Sequence, residues 1–328
     1  MPAQKPLAAQ RWMSTQTKRL HLGQGEAWAL AGALFYALSN VFTAVAVRGH
    51  ELNYWLGVSL RAIPTLLLGL ALWPSARRRD PAAVSPLADW RLLVALIASG
   101  LLNFVIGSPL LFAALAQGGV LVASPITGTQ TLWSATIAAL LLHQPLNRRM
   151  TLGMLVSAAG VALLTLGHSS GVALLPRWWL AVPYATGTAA SWALAGVLIA
   201  YALQRHVDRF QALAVTVLTG AACVNGYLLL TGRLGLYLTT PGPLMWKVVV
   251  AGALGAAGLI SFTTALGLTS VASANALNSL QVGMAPLIAW LFVGEAMNGW
   301  MGLGILLIMF GAMVVQLAKQ GRAERVGG

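Results

Sequence analysis

Residues 281–311 read QVGMAPLIAWLFVGEAMNGWMGLGILLIMFG. Two apolar runs are joined there by a short polar elbow, Gly294-Glu295-Ala296-Met297-Asn298. A degraded copy lies 151 residues earlier: Gln130 answers to Gln281, Asn147 to Asn298, Leu152 to Leu303, Gly153 to Gly304 and Gly160 to Gly311. The elbow of the copy is His143-Gln144-Pro145-Leu146-Asn147. One repetition at about half the chain length marks a duplicated architecture. In a chain this apolar it points to the internal repeats of secondary transporters.

The composition fixes the solvent. Of 328 residues, 58% are apolar and 8% charged, against about 25% charged in a soluble domain. The chain cannot cover a water-facing surface, so it is read as a polytopic membrane protein. Its net charge of +13 does not imply nucleic acid as a partner. The basic residues sit in the gaps between apolar runs, where flanking charge sets orientation, rather than along one amphipathic face. The single cysteine, Cys223, lies inside an apolar run and is expected to be a small buried residue. It excludes an intrachain disulfide and a thiolate metal cluster, and no metal or cofactor is expected. Residues 1–26 carry Lys5, Arg11, Lys18, Arg19 and His21 with no apolar core. They do not look like a cleaved signal peptide and are expected to form a basic cytoplasmic tail.

A membrane helix needs about 20 mostly apolar residues. That window gives ten spans: 27–47, 54–74, 92–115, 119–142, 151–167, 178–203, 210–231, 246–267, 271–293 and 299–318. With the N-terminus inside, fifteen Lys and Arg residues fall on the cytoplasmic side. Only Arg48, Arg177, Arg233 and Lys247 fall outside, and Arg61, the last of the twenty, lies within a span. That asymmetry places both termini in the cytoplasm. The expected fold is therefore all-α, with ten transmembrane helices as two inverted five-helix repeats, N-in and C-in. The first repeat is 27–167, the inter-repeat loop 168–177, the second repeat 178–318, and 319–328 a cytoplasmic tail. The echo runs beyond the opening stretch. Ala37-Leu38 and Val41 recur as Ala193-Leu194 and Val197; Ala114-Leu115, Val120 and Ala123 recur as Ala265-Leu266, Val271 and Ala274.

These residues carry a family likeness. The chain resembles EamA-type members of the drug/metabolite transporter superfamily in Ala37-Leu38-Ser39-Asn40-Val41-Phe42, Leu60-Arg61, Met284-Ala285-Pro286-Leu287, Gly294-Glu295, Gly304 and Gly311. The likeness covers nearly everything from 27 to 318, and the whole pattern rather than any one short motif is specific. The first repeat departs from the family pattern. Trp133-Ser134 stands where Pro-Leu is usual, His143-Gln144 where Gly-Glu is usual, and Ala62 where an aromatic residue is usual. The resemblance implies export or exchange of small metabolites, amino acids or drugs across a plasma membrane.

Polar groups in lipid are costly, so they face a cavity or a helix partner. Arg61, about seven residues into its span, either attracts an anionic group or serves as a structural pin to neighbouring carbonyls. All seven acidic residues lie at span ends or in loops. A proton-coupled exporter of cationic drugs would be expected to hold an acid within a span, so neutral, zwitterionic or anionic substrates are favoured. Glu295 is expected to accept the orphan N–H groups at the start of the helix that follows it. Gln130 and Gln281 occupy equivalent repeat positions and either meet a substrate or bond neighbouring helices. The candidate binding set is Asn40, Arg61, Gln130, Ser134, Trp192, Asn278 and Gln281, with Trp133 and Trp290 as a further apolar wall. The glycines at 153, 160, 304 and 311 suit either a rigid post between two helices or a homodimer contact.

The sequence lacks H-E-x-x-H and the Walker A lysine loop, and no pair of acids sits in a span, which speaks against an enzyme. The expectation is a secondary transporter of small metabolites, amino acids among them, in the cell inner membrane, with substrate and membrane lipid as partners. It works as exporter, facilitator or exchanger. The alternatives are a proton-coupled multidrug exporter and a non-transporting scaffold or sensor.

Overall fold

The structure, a computed structural model, describes residues 23–48, 52–75, 84–141, 148–169, 177–269, 274 and 277–326. Residues 1–22 of the basic tail, the Arg77–Arg79 run, the elbow His143–Asn147, the centre of the inter-repeat loop and Asn275 lie outside the described residues, while 24–26 already belong to the first helix. Among the described residues the elements are helical, apart from one isolated bridge between Val84 and Val207. In chain order they are α1 (Gln24–Val47), α2 (Tyr54–Leu72), α3 (Trp90–Gly100), α4 (Ser108–Gly128), α5 (Gln130–Leu141) and α6 (Arg148–Ser169). There follow α7 (Ala181–Leu203), α8 (Arg209–Leu230), α9 (Leu236–Thr239), α10 (Gly242–Leu268), α11 (Gln281–Ile288) and α12 (Gly299–Val326). A π-helical turn, Leu101–Gly107, joins α3 to α4, and another, Ala289–Val293, extends α11.

Helix starts are where lipid punishes free N–H groups most, and short polar side chains satisfy them. Asn53 Oδ1 accepts from Trp55 and Leu56 at 3.0 and 3.3 Å, and Asp208 Oδ1 from Phe210 and Gln211 at 3.0 and 3.3 Å. Seven helical segments among the described residues are long and apolar enough to cross a membrane. One of them, Trp90–Ser134, runs 45 residues and breaks at Gly119, whose φ of 67° and ψ of −173° are not helical. That backbone region is essentially reserved for glycine. The break falls where the hydropathy windows divide 92–115 from 119–142. The outside of the bundle is apolar, with Leu67, Leu229, Leu230, Phe292 and Leu306 exposed. Five of the exposed tryptophans stand at or near helix starts, Trp28 and Trp90 on one side, Trp179, Trp246 and Trp300 on the other, as at the two faces of a bilayer. Cys223 is exposed too. The expectation of a buried cysteine fails because a lipid-facing position is as apolar as the core.

The two repeats are threaded through each other. α1 packs antiparallel on α10, with Ser39 Oγ donating to the Ala251 carbonyl at 2.7 Å. The corresponding pair from the other repeats is α3 with α7, where Ser99 Oγ donates to the Ala195 carbonyl at 3.1 Å. The remaining helices meet their own counterparts: α2 meets α8, the second half of α4 meets α11, and α6 meets α12. Close approach needs small residues. A Cβ at Gly153 would stand 2.7 Å from the Gly311 carbonyl oxygen, and one at Gly160 2.7 Å from that of Gly304. The glycine stripe is thus consumed inside the chain. Of the two roles open to it, the post between α6 and α12 is the one it fills. Gly252 and Gly258 act likewise, letting α10 rest on the backbone of Arg61 and the ring of Tyr36.

Gly119→Ala is expected to lower the melting temperature in detergent, since a forced backbone at such a site costs about 1–3 kcal/mol. Gly196→Ala is the control: its added Cβ meets nothing within 4 Å, and alanine favours the helix by about 0.5–1 kcal/mol. Equal melting temperatures for the two variants would contradict this account of the break.

Candidate functional site

The break at Gly119 starts a new helical run, and its first N–H groups find partners in the other repeat. Glu295 Oε1 accepts from Val120 at 3.0 Å and Oε2 from Leu121 at 2.9 Å. Arg48, at the end of α1, faces the same Oε1 at 3.5 Å. Glu295 is only 5% exposed, Arg48 39%, so the backbone bonds dominate and the ion pair is partly screened. A Cβ on Gly119 would stand 2.6 Å from Glu295 Oε1. This corrects the expectation that Glu295 serves the helix after it. Asn298 does that job, its Oδ1 accepting from Met301 at 2.9 Å. Glu295 is turned inward instead by Gly294, which ends the π-helical turn in the left-handed conformation at φ 74°.

Around this clamp the packing is tight. Leu56, Leu111, Phe112, Leu115, Val120 and Val122 are fully buried. Below it, toward the Gln24 end of α1, lies a cavity of about 230 Å³. Its walls come from both repeats. Asn40, Gln130, Asn278 and Gln281 supply carboxamides, and Ser124, Thr127 and Ser279 supply hydroxyls. Trp192 and Phe262 supply aromatic surface. Phe262 packs beside Gly32, two turns nearer the start of α1 than Asn40, which sets the direction in which the cavity extends. None of the residues lining it is charged.

Five of the seven residues singled out from sequence line this cavity: Asn40, Gln130, Trp192, Asn278 and Gln281. Gln130 and Gln281 do so from opposite sides of the contact between α4 and α11, where Gly128 packs on Val282. Arg61 stands one layer behind. Its Nη2 donates to Ser39 Oγ at 3.0 Å and reaches Asn40 Oδ1 at 3.5 Å. Asn40 Nδ2 in turn lies 3.4 Å from Ser124 Oγ. Ser134 is partly buried one turn beyond Gln130 and is not part of the lining. Trp133 and Trp290 are 36% and 44% exposed and lie outside the cavity. The aromatic surface is Trp192 with Phe262, and Phe262 sat in too apolar a run, LISFTTAL, for sequence to mark it.

Trp192 is held by the π-helical turn. Such turns are rare and recur at functional sites. Here α7 donates to its carbonyls: Ser191 Oγ to Leu102 at 2.6 Å, Thr188 Oγ1 to Gly107 at 3.1 Å and Trp192 Nε1 to Asn103 at 3.4 Å. Gly107 leaves room for the indole, which a Cβ there would strike at 2.5 Å. Among the described residues no group of histidine, cysteine and acidic side chains could hold a metal.

Two copies of one helical unit, threaded together around a polar hollow inside an apolar shell, make a multi-pass membrane protein. The chain belongs to the EamA-like transporter family, whose model matches residues 23–166 and 179–317. It is therefore a membrane transporter of the drug/metabolite transporter type, a non-enzymatic class. A crystal structure covering 92% of this chain and 99% of its own is similar at 20% identity with a TM-score of 0.56, which speaks to fold alone. No curated protein matches the chain significantly.

Glu295→Ala would leave two buried N–H groups unpaired, at about 1–3 kcal/mol each. The expected result is a clear loss of thermal stability, with Glu295→Gln intermediate. Arg48→Ala should cost less than about 1 kcal/mol. A ranking with Arg48→Ala as the worst of the three would mean that the ion pair, not the amide clamp, holds the break.

Proposed function

We propose that the protein is a secondary transporter of small neutral, zwitterionic or anionic metabolites, amino acids among them, working by alternating access in the cell inner membrane. The observation that supports this most directly is the uncharged, amide-lined cavity shared by both repeats, with the Glu295 clamp a turn away on the Ser124 helix. A hollow at a join between two similar units is what rocking of one unit against the other would expose alternately. The reading includes ten spans with both termini in the cytoplasm, as the distribution of Lys and Arg favours. On that orientation the cavity lies on the inner side of the clamp and is expected to open inward. The direction of net flux then follows the gradients, as for an exporter, facilitator or exchanger.

The absence of a carboxylate from the lining among the described residues favours this over proton-coupled export of cationic drugs, which would pair a cation with an intramembrane acid. Counterflow in liposomes, with and without a proton gradient, tests it against a panel of amino acids, organic acids, nucleosides and lipophilic cations. Saturable exchange of a non-cationic compound is the expected outcome. Exchange confined to lipophilic cations would favour the drug exporter, and binding without flux would favour a scaffold or sensor.

Accessibility tests the orientation. In a Cys223→Ser background, Gln281→Cys is expected to react with a membrane-impermeant thiol reagent from the cytoplasmic side only. Reaction from the outer side alone would reverse the assignment.

A further inference from the structure

Residues 232–245, GRLGLYLTTPGPLM, join α8 to α10 and carry one charged residue, Arg233. Leucines stand at 234, 236, 238 and 244, an apolar content that a loop surrounded by water does not need. The segment does not reach outward. Gly232, left-handed at φ 69°, ends α8, and the Arg233 N–H turns back to donate to the Leu228 carbonyl at 2.7 Å, as glycine-capped helix ends do. The chain then crosses the end of the bundle as α9 and re-enters it at Gly242.

Contacts fix how α9 is turned. Tyr237 faces the bundle: its hydroxyl donates to Asn225 Oδ1 at 2.7 Å and lies 2.7 Å from Ser59 Oγ. Asn225 Nδ2 donates to the same Ser59 Oγ at 2.8 Å. Ser59 is buried, so this ring of three polar groups closes inside the α2–α8 contact, where one repeat meets the other. Nearer the same end of that contact the rings of Trp55 and Tyr227 stand 4.6 Å apart. Successive residues of a helix are turned by about 100°. Leu236, to one side of Tyr237, packs against the hydrophobic core. Leu238 therefore lies on the side away from the core, and it is 91% exposed. Thr239, about 200° from Tyr237, faces away from the bundle and is exposed as well, its hydroxyl donating to the Gly235 carbonyl at 3.2 Å.

The Leu238 side continues a surface that faces lipid. Leu230 stands at one end of the segment, 88% exposed, and Trp246 at the other, 65% exposed. Arg233 is exposed beside Leu230. Tryptophan and arginine at that level mark the boundary between acyl chains and headgroups, and a leucine turned sideways there meets lipid.

We propose that residues 232–245 form a strap seated in the membrane: Leu238 enters the leaflet at the Leu230 end of α8, Arg233 meets the lipid phosphates, and Tyr237 fastens the end of the α2–α8 contact beneath. The strap ties the lipid surface to the join between the repeats. Its seat does not depend on what the protein transports. On the orientation favoured by the Lys and Arg distribution, the leaflet is the outer one.

Electron paramagnetic resonance on the full-length protein in phosphatidylcholine–phosphatidylglycerol vesicles tests this. In a Cys223→Ser background, nitroxide labels on Leu238→Cys and on Thr239→Cys are compared for relaxation by oxygen, which concentrates in lipid, and by a water-soluble nickel chelate. Both side chains are exposed, so neither label displaces packing. The oxygen-to-nickel ratio is expected to be about threefold or more higher at 238 than at 239, as for a segment lying in the interface. Equal ratios, or a higher ratio at 239, would overturn the seating. Tyr237→Phe, added to the Thr239→Cys variant, keeps the ring and removes the hydroxyl. It is expected to increase the mobility of the label, and Ser59→Ala, which breaks the same ring of bonds from α2, is expected to act in the same direction. Unchanged mobility in both variants would overturn the fastening.

Discussion

The carboxylate of Glu295 holds together what the chain itself breaks. A helix that reverses within an apolar medium leaves N–H groups that neither water nor lipid can satisfy. At Gly119 those groups belong to Val120 and Leu121, and the oxygens that take them come from the opposite repeat. The geometry permits nothing larger than glycine at 119, because the carboxylate occupies the space of a side chain. Ser124, Thr127 and Gly128 follow on the same helical run, so the position of the cavity wall is inherited from this clamp. Asn40 meets Ser124 from α1, and Arg48 at the end of that helix returns to Glu295. One buried carboxylate ties three stretches of chain to one another.

Threading supplies the remaining order. Each repeat lends α1 or α7 to the other's partner helix, and three contacts lie on the pseudo-two-fold axis. Glycines set the spacing of the α6–α12 contact to the point where backbone oxygens take the place of side chains. Such contacts substitute for the hydrophobic effect, which gives no net drive between helices already in lipid. The π-helical turn after α3 adds polar links, three hydroxyl or indole groups of α7 donating to carbonyls of the turn.

Much of this was legible in the sequence because repetition is a covalent fact. The equivalence of Gln130 and Gln281 follows from spacing, and a two-fold axis must place equivalent residues at equal depth. The break near Gly119 showed as the gap between two hydropathy windows. What the sequence could not show is which partner a polar group chooses. Glu295 lies four residues before α12 and 174 residues from Leu121, yet it bonds the distant amides. Local reasoning favours the near helix. Trp133 and Trp290 misled for a related reason: along a helix apolar all round, lipid-facing and cavity-facing aromatics carry the same local signature. Cys223 shows the same blindness, since its neighbours are apolar on either side of the protein surface. Phe262 was hidden in the same way.

The exchange of α1 and α7 between repeats also constrains the order of assembly during synthesis. The first repeat leaves the ribosome with α1 lacking the surface it covers on α10, and α2 and α6 lacking α8 and α12. Its helices can insert one by one, but their final neighbours are translated last. Chains are commonly finished domain by domain from the N-terminus; this one must keep its early helices uncommitted in the bilayer until the late ones arrive.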